Sequence, residues 1–206
     1  MGVDFDEVAT TTRSVRRRLD LTRPVARGLV EECLRLALHA PNGANRQDWR
    51  FLVIDSPELK AGIAEHYRAA FAAYRTTLSD EVARSGMTAS AQYLADRLQD
   101  VPVLVLGCMH GRLTGSEPAA KRSSFYGSAY PALWSFMLAA RSRDLGTTLT
   151  TVHLAREREV AELLGIPFDE VTQVAMIPLA HMANDGFHAG PRRPLGEVMS
   201  WNTWRS

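Results

Sequence analysis

Cysteine is scarce in this 206-residue chain, with two residues in all, and neither pairs naturally with the other. Cys33 lies on the apolar face of a helix pattern and Cys108 ends an apolar strand pattern, so both read as buried reduced thiols and no disulfide is expected. Recognised metal spacings are missing too: the six histidines (39, 66, 110, 153, 181 and 188) never fall at a ligand interval, and Cys108 with His110 has no further ligands nearby. No metal is expected. Net charge is nearly absent at +1, from 24 Lys+Arg against 23 Asp+Glu, which leaves no global field to attract nucleic acid or an anionic membrane. Long hydrophobic runs are lacking as well. The longest, Val101 to Met109, falls far short of the roughly 20 residues needed to span a bilayer. The acidic start Met1-Gly-Val-Asp-Phe-Asp-Glu7 has neither the basic nor the apolar region of a signal peptide, so a cytoplasmic protein is expected. There is no Gly-x-Gly-x-x-Gly, P-loop, repeat or low-complexity segment, which disfavours a Rossmann nucleotide site.

What is present is 46% hydrophobic residues with mixed charge, enough for one domain over residues 1–206. Residues 5 to 12 read as a short helix. Thr22 is expected to cap a helix with Pro24 in its first turn and a stripe of Val25, Leu29, Val30, Cys33, Leu36, Ala37 and Ala40. Phe51-Leu-Val-Ile54 reads as a central strand; Ser56 caps the next helix and Pro57 starts it. Residues 59–78 and 79–99 read as helices with Tyr67, Phe71, Tyr74, Tyr93 and Leu94 inward, a cover without evident chemistry of its own. Pro102 to Cys108 reads as a strand buried on both faces, residues 109–127 as a long loop, and a helix is expected from about Ser128 with Pro131 in its first turn, closing at Leu145-Gly146. Gly146 to Val152 reads as a strand, Ala155 to Leu164 as a helix ended by Gly165, and Val171 to Leu179 as a strand that Pro178 breaks at an edge or exit. Helices grouped between strands point to an α+β sheet flanked by helices.

Three stretches carry candidate chemistry. Arg13-Ser-Val-Arg-Arg-Arg18 holds four arginines in six positions. Guanidinium forks and a serine hydroxyl suit phosphate oxygens, although such a run also reads as a solvated face. Ala40-Pro-Asn-Gly-Ala-Asn-Arg-Gln-Asp-Trp-Arg-Phe51 offers Asn42-Gly43 for a turn and Asn45 and Gln47 as paired amides that can read the polar edge of a flat heterocycle. Taken alone, it reads first as turn chemistry. The tail Gly190-Pro-Arg-Arg-Pro-Leu195 is again basic, and Trp201 and Trp204 beyond it are expected to cover another surface, a second subunit included.

In this order and spacing, Thr12-Arg-Ser-Val-Arg16, the 40–51 loop, the helix Ala132 to Arg143 running into Leu145-Gly-Thr-Thr148, and Pro191-Arg-Arg-Pro-Leu195 resemble the nitroreductase-like family of flavin mononucleotide (FMN) oxidoreductases over nearly the whole chain. The resemblance implies a central, mainly antiparallel sheet flanked by helices in an intertwined homodimer, with each FMN held between both chains. It implies that Arg13, Ser14 and Arg16 hold the flavin phosphate, ribityl chain or pyrimidine edge and that Arg192 and Arg193 join them on the phosphate. Asn42, Gly43, Asn45 and Gln47 would reach the flavin, partly in the partner's site, and the backbone of Gly146, Thr147, Thr148 and Leu149 would pass its reactive face. Thr12, Asp48 and Ser135 depart from the commoner Arg, Pro and Asn. The implied reaction takes hydride from NAD(P)H through the flavin to a small organic acceptor (nitroaromatic, quinone, enone or free flavin) by a ping-pong scheme, with Arg16 as electrostatic support and no essential acid, base or nucleophile. A non-catalytic FMN store or regulator shares every phosphate contact and is the alternative.

Overall fold

The computed structural model describes residues 4–183 and 188–204; the first three residues of the acidic start lie outside it. Its elements, in chain order, are α1 (Phe5–Thr11), α2 (Arg27–Ala37), β1 (Trp49–Ile54), α3 (Pro57–Arg75), α4 (Asp80–Ala83), α5 (Gly86–Arg97), β2 (Val103–His110), α6 (Ala119–Arg141), β3 (Leu145–Thr147), α7 (Glu157–Leu164), β4 (Val171–His181) and α8 (Leu195–Val198). The strands form one antiparallel sheet in the order β1-β2-β4-β3, so the expected α+β class and sheet are present.

Alternation along β2 divides the core. Val103, Val105 and Met109 face one layer with Ala175, Ile177 and Leu179 of β4, against Val30, Cys33 and Ala37 of α2 and Leu133, Phe136 and Met137 of α6. Leu104, Leu106 and Cys108 face the other with Met176 and Ala180, against Ile63, Tyr67 and Phe71 of α3 and Leu94 of α5. The result is helix, sheet, helix. The register slips between Gly107 and Cys108 because β4 carries one extra residue at Val174, a bulge.

Several local cues act as their chemistry requires. The Ser56 hydroxyl accepts from the Leu59 N–H with Pro57 at the helix start, and Gly165 closes α7 at φ 66°, a backbone that strains any side chain. Both cysteines are free and buried.

Other expectations are corrected. Thr22 does not cap α2, whose N-cap is Ala26; its N–H and hydroxyl instead donate to the Asp20 carboxylate, and Leu36 is exposed. The 59–99 region is broken at Thr76–Ser79 and Arg84–Ser85, leaving α4 as one isolated turn, and Tyr74 is half exposed. The stretch 109–127 is no long loop: β2 continues to His110 and α6 begins at Ala119, passing through Pro131 in its interior. Apolar periodicity is missing from the first turns of α6 because small and basic residues face solvent there, and packing against the sheet outweighs the hydrogen bond Pro131 removes. β3 ends at Thr147; only an isolated bridge from Thr150 to Met176 continues it before a 3-10 turn over Val152–Arg156. Pro178 lies inside β4. Its carbonyl faces the β3 side, accepting from Thr148 N–H, so its missing donor falls just past the end of that short strand. Finally, β1 is an edge strand, with Leu52 and Val53 partly exposed, not a central one.

Candidate active site

Val15 organises the arginine segment. Its side chain is buried, and its N–H donates to the Thr147 carbonyl at 2.8 Å, which pins the segment to β3 at this one point before the chain turns through Arg16–Arg18. Leu19 bridges to Met182 and Ala183 N–H donates to Arg18 O. Gly146 is required by this approach: a Cβ there would meet Leu19 Cδ2 at 2.9 Å and Val15 Cγ1 at 3.1 Å. Arg13, Ser14, Arg16, Arg17 and Arg18 then line a hollow of about 270 Å³ with Ser90 of α5 and His188, and no carboxylate occurs among its described lining residues. It is an anion cradle by composition.

Arg16 also lines a second, larger cavity of about 750 Å³ between α3, α5 and the 149–155 segment. Its floor is tied down. Thr150 exchanges both backbone hydrogen bonds with Met176 at 2.9 Å, and its hydroxyl meets the Tyr67 hydroxyl at 2.9 Å across a buried contact. Burial pushes the Tyr67 phenol above its ordinary pKa, while the Thr150 bond and the nearby Arg16 charge act the other way. Leu149 lines this cavity; Gly146, Thr147 and Thr148 are buried behind it, and the Thr148 hydroxyl has no partner among the described residues. The rest of the lining mixes Phe71, Tyr74, Val82, Met87 and Ala91 with Thr77 and Thr88.

The 40–51 loop lies elsewhere. Gly43 N–H donates to the Ser128 hydroxyl of α6, and a Cβ on Gly43 would meet Ser124 Oγ at 2.6 Å. Asn42 Oδ1 accepts from Gln47 N–H, and Gln47 Nε2 donates to Asn45 Oδ1. Ala44, Asn45 and Gln47 all have positive φ (52°, 53° and 53°), a cluster of left-handed residues that costs asparagine less than alanine or glutamine. This loop edges a polar hollow of about 340 Å³ with His110, Lys121 and Phe125.

Of the residues singled out from sequence, the structure therefore brings together Arg13, Ser14, Arg16 and the 146–149 segment. It does not bring Asn42, Gly43, Asn45 or Gln47 to them. The loop enters β1 at Trp49, level with Met109 and Thr172, whereas Thr147 is level with Leu179, roughly 20 Å away along β4 at about 3.3 Å per residue. The sheet also intervenes, since the arginine cavities adjoin α3 and α5 and the loop adjoins α6. Arg192 and Arg193 are exposed on the tail, where Arg192 donates to the neighbouring Pro191 carbonyl. Sequence reasoning missed Tyr67, Thr150, Ser90 and His188. Tyr67 reads as plain core in a helical stripe, and nothing local marks a partner 83 positions on.

Among the described residues no group of three or more His, Cys, Asp or Glu could hold a metal ion, and no helix is long and apolar enough to cross a membrane. The family model described as "Nitroreductase family" matches residues 9–181. The chain is 27% identical over 212 residues to YdgI of Bacillus subtilis, whose name assigns it provisionally to NAD(P)H nitroreductases, with 96% of this chain and 97% of that protein covered. It is 28% identical over 212 residues to a protein of Thermus thermophilus named NADH dehydrogenase, with 97% of this chain and 96% of that protein covered. Among solved structures, oxidised iodotyrosine deiodinase bound to FMN and 3-iodo-L-tyrosine superposes with a TM-score of 0.76 at 22% identity, covering 97% of this chain and 99% of that one.

Proposed function

Because the chain belongs to the nitroreductase family, we infer that it is an FMN-dependent NAD(P)H oxidoreductase acting on a small organic acceptor, with each flavin site closed by two copies of the chain. The single observation that carries this reading is the continuity of an arginine cradle and a ring-sized cavity through one shared residue, Arg16. A phosphomonoester carries about −1.5 to −2 charges near neutral pH, and a cradle without carboxylates compensates it. The cavity beyond sets apolar Phe71, Ala91 and Leu149 beside the hydroxyls of Tyr67, Thr150 and Thr151, which suits a flat ring with one polar edge. The residues present thus fit FMN: Arg13, Ser14 and Arg16 would hold its phosphate end, and Arg16 with the Leu149–Thr151 backbone its ring. The FMN bound by the deiodinase of the same fold supports this assignment.

When bound, the flavin supplies hydride chemistry, accepting from NAD(P)H and passing reducing equivalents to the second substrate in alternate half-reactions. The chain supplies the rest. Arg16, whose neighbour Val15 is tied to Thr147, would place positive charge beside the flavin where reduction leaves anionic character. Tyr67 and Met176 hold Thr150, and with it the cavity floor. Phe71 and Tyr74 help exclude water.

The loop on the far side of the sheet supports a homodimer. Its amides are fixed by hydrogen bonds within the loop and lie across the sheet from the chain's own cradle, as suits the partner's flavin. The names of the two relatives support NAD(P)H as donor. The test is anaerobic. The purified protein is expected to be yellow, or to become so with FMN, and to lose its oxidised flavin absorbance on addition of NADH or NADPH. Persistent absorbance with both donors would leave the storage or regulatory reading in its place.

A further inference from the structure

The arginine cradle holds more positive charge than one flavin phosphate uses. Arg13, Arg16, Arg17 and Arg18 line it together, with no carboxylate among its described lining residues. A phosphomonoester brings about −1.5 to −2 charges, so Arg13 and Arg16 alone match it. Among the described residues Arg13, Arg16 and Arg17 enter no ion pair. The carboxylate nearest in sequence, Asp20, is already engaged, accepting from the Thr22 N–H and hydroxyl and from the Arg23 N–H. Arg17 and Arg18 are the central residues of a turn closed by the Leu19 N–H on the Arg16 carbonyl, and both are exposed, so they stand at the rim of the hollow while Arg16 lies deeper. Like charges gathered at one rim repel unless an anion joins them.

The rim also lies on a way out of the flavin cavity. Helix α5 borders both openings: Met87, Thr88 and Ala91 line the larger cavity, and Ser90 lines the cradle. A dinucleotide donor with its nicotinamide over the flavin ring has to lead its adenosine half out of that cavity, and a course along α5 brings the adenosine ribose to the rim. The two donors differ there in a single group. NADPH carries a 2′-phosphomonoester where NADH has a hydroxyl; an arginine suits the phosphate, whereas a carboxylate that accepts from the hydroxyl is the usual partner of NADH. The rim has the arginine and, among its described lining residues, no carboxylate. Resting on the oxidoreductase reading above, we propose that Arg17, aided by the Ser90 hydroxyl of the same hollow, binds the 2′-phosphate of NADPH and makes the protein select NADPH over NADH.

The experiment uses FMN-loaded protein at low ionic strength. In anaerobic stopped flow, NADPH is expected to reduce the flavin with an apparent Kd at least about tenfold below that of NADH, the difference made by one charge-assisted hydrogen bond. Calorimetry gives a readout without turnover: adenosine 2′,5′-bisphosphate should bind the loaded protein at least about tenfold more tightly than AMP, which lacks only the 2′-phosphate. Arg17→Glu should abolish both preferences, and Arg17→Gln should lower them in the same direction should the charge reversal fold poorly. Added salt should shrink the NADPH advantage, because the guanidinium is exposed. Equal affinity within either pair, or ratios unmoved by both substitutions, overturns the proposal. So does loss of bound FMN from Arg17→Gln, which would place Arg17 on the flavin phosphate instead. A loaded protein that neither donor reduces overturns the oxidoreductase reading and this one together, whereas reduction by both donors alike overturns this one alone.

Discussion

Single side chains in this protein are set by burial more than by charge partners. Burial pushes the Cys33 thiol up to about 11 and Cys108 to about 12, so both stay protonated at neutral pH. Ellman's reagent should therefore label neither in the native protein and both after denaturation; rapid native labelling would contradict it. His153 is fully buried, with neither ring nitrogen partnered among the described residues, and burial pushes it down to about 4. Its folded pKa lies below its unfolded value near 6.5, so the unfolded chain binds the extra proton first. Stability is lost as pH falls from about 6.5 to about 4 and is fully present above that window. Urea unfolding of the wild type and His153→Leu should show the wild type losing about 1 kcal/mol more per pH unit across it; parallel profiles would sink the assignment. Arg13→Ala in the cradle and Arg193→Ala on the exposed tail should each weaken FMN binding roughly tenfold or more, the loss of one charge-assisted hydrogen bond, measured by equilibrium dialysis. Unchanged affinity in both would make the arginine runs merely solvated.

At the scale of elements, the site depends on how the far ends of strands and helices are clamped. Arg112, just past β2, forms a bidentate pair with Glu157 at the start of α7 (2.6 and 2.7 Å), and Glu157 also accepts from Gln173 N–H in β4. The Phe168 ring sits between the Arg112 and Arg158 guanidiniums at 3.8 and 4.0 Å. Removing Arg112 leaves a mostly buried carboxylate without its partner, so Arg112→Ala should cost about 2–3 kcal/mol in urea unfolding, less than a fully buried pair because both groups keep some solvent. Much of this scale was legible in the sequence. Ser56-Pro57, Gly165 and the unbroken apolar run of β2 each carry their own instruction, and residue type marks the arginine run as a phosphate candidate with a solvated face as its equal alternative. What was not legible depends on distant neighbours. The apolar Phe51–Ile54 run looked central although it lies at an edge, because composition alone does not say whether a strand is paired on one side or two. The start of α6 was hidden by small and basic residues on its solvent side. Tyr67 and Thr150 meet only once the sheet brings α3 beside the 149–155 segment.

The whole molecule leaves apolar surface that one chain does not cover. Tyr130 and Trp134 lie a helical turn apart on α6, Leu36 and Leu38 are about half exposed at the end of α2, and Leu52 and Val53 are open on the edge strand. Trp201 and Trp204 stand 74% and 92% exposed on the tail. Patches of this kind mark interfaces, and light scattering should return twice the 22.8 kDa chain mass. The stronger argument for two copies is that the arginine cradle and the Asn42–Gln47 loop lie on opposite sides of the sheet, so one flavin can meet both only if they come from different chains. That division is tested by subunit complementation. Arg16→Ala and the double variant Asn42→Ala with Gln47→Ala are each purified as homodimers and then co-expressed under two tags, isolating the mixed dimer. If one flavin is held by the cradle of one chain and the loop of the other, both parents are impaired, and the mixed dimer regains one intact site of two, with roughly half the wild-type FMN content and NAD(P)H-dependent bleaching. A mixed dimer no better than its parents would place the whole site within a single chain and contradict the account.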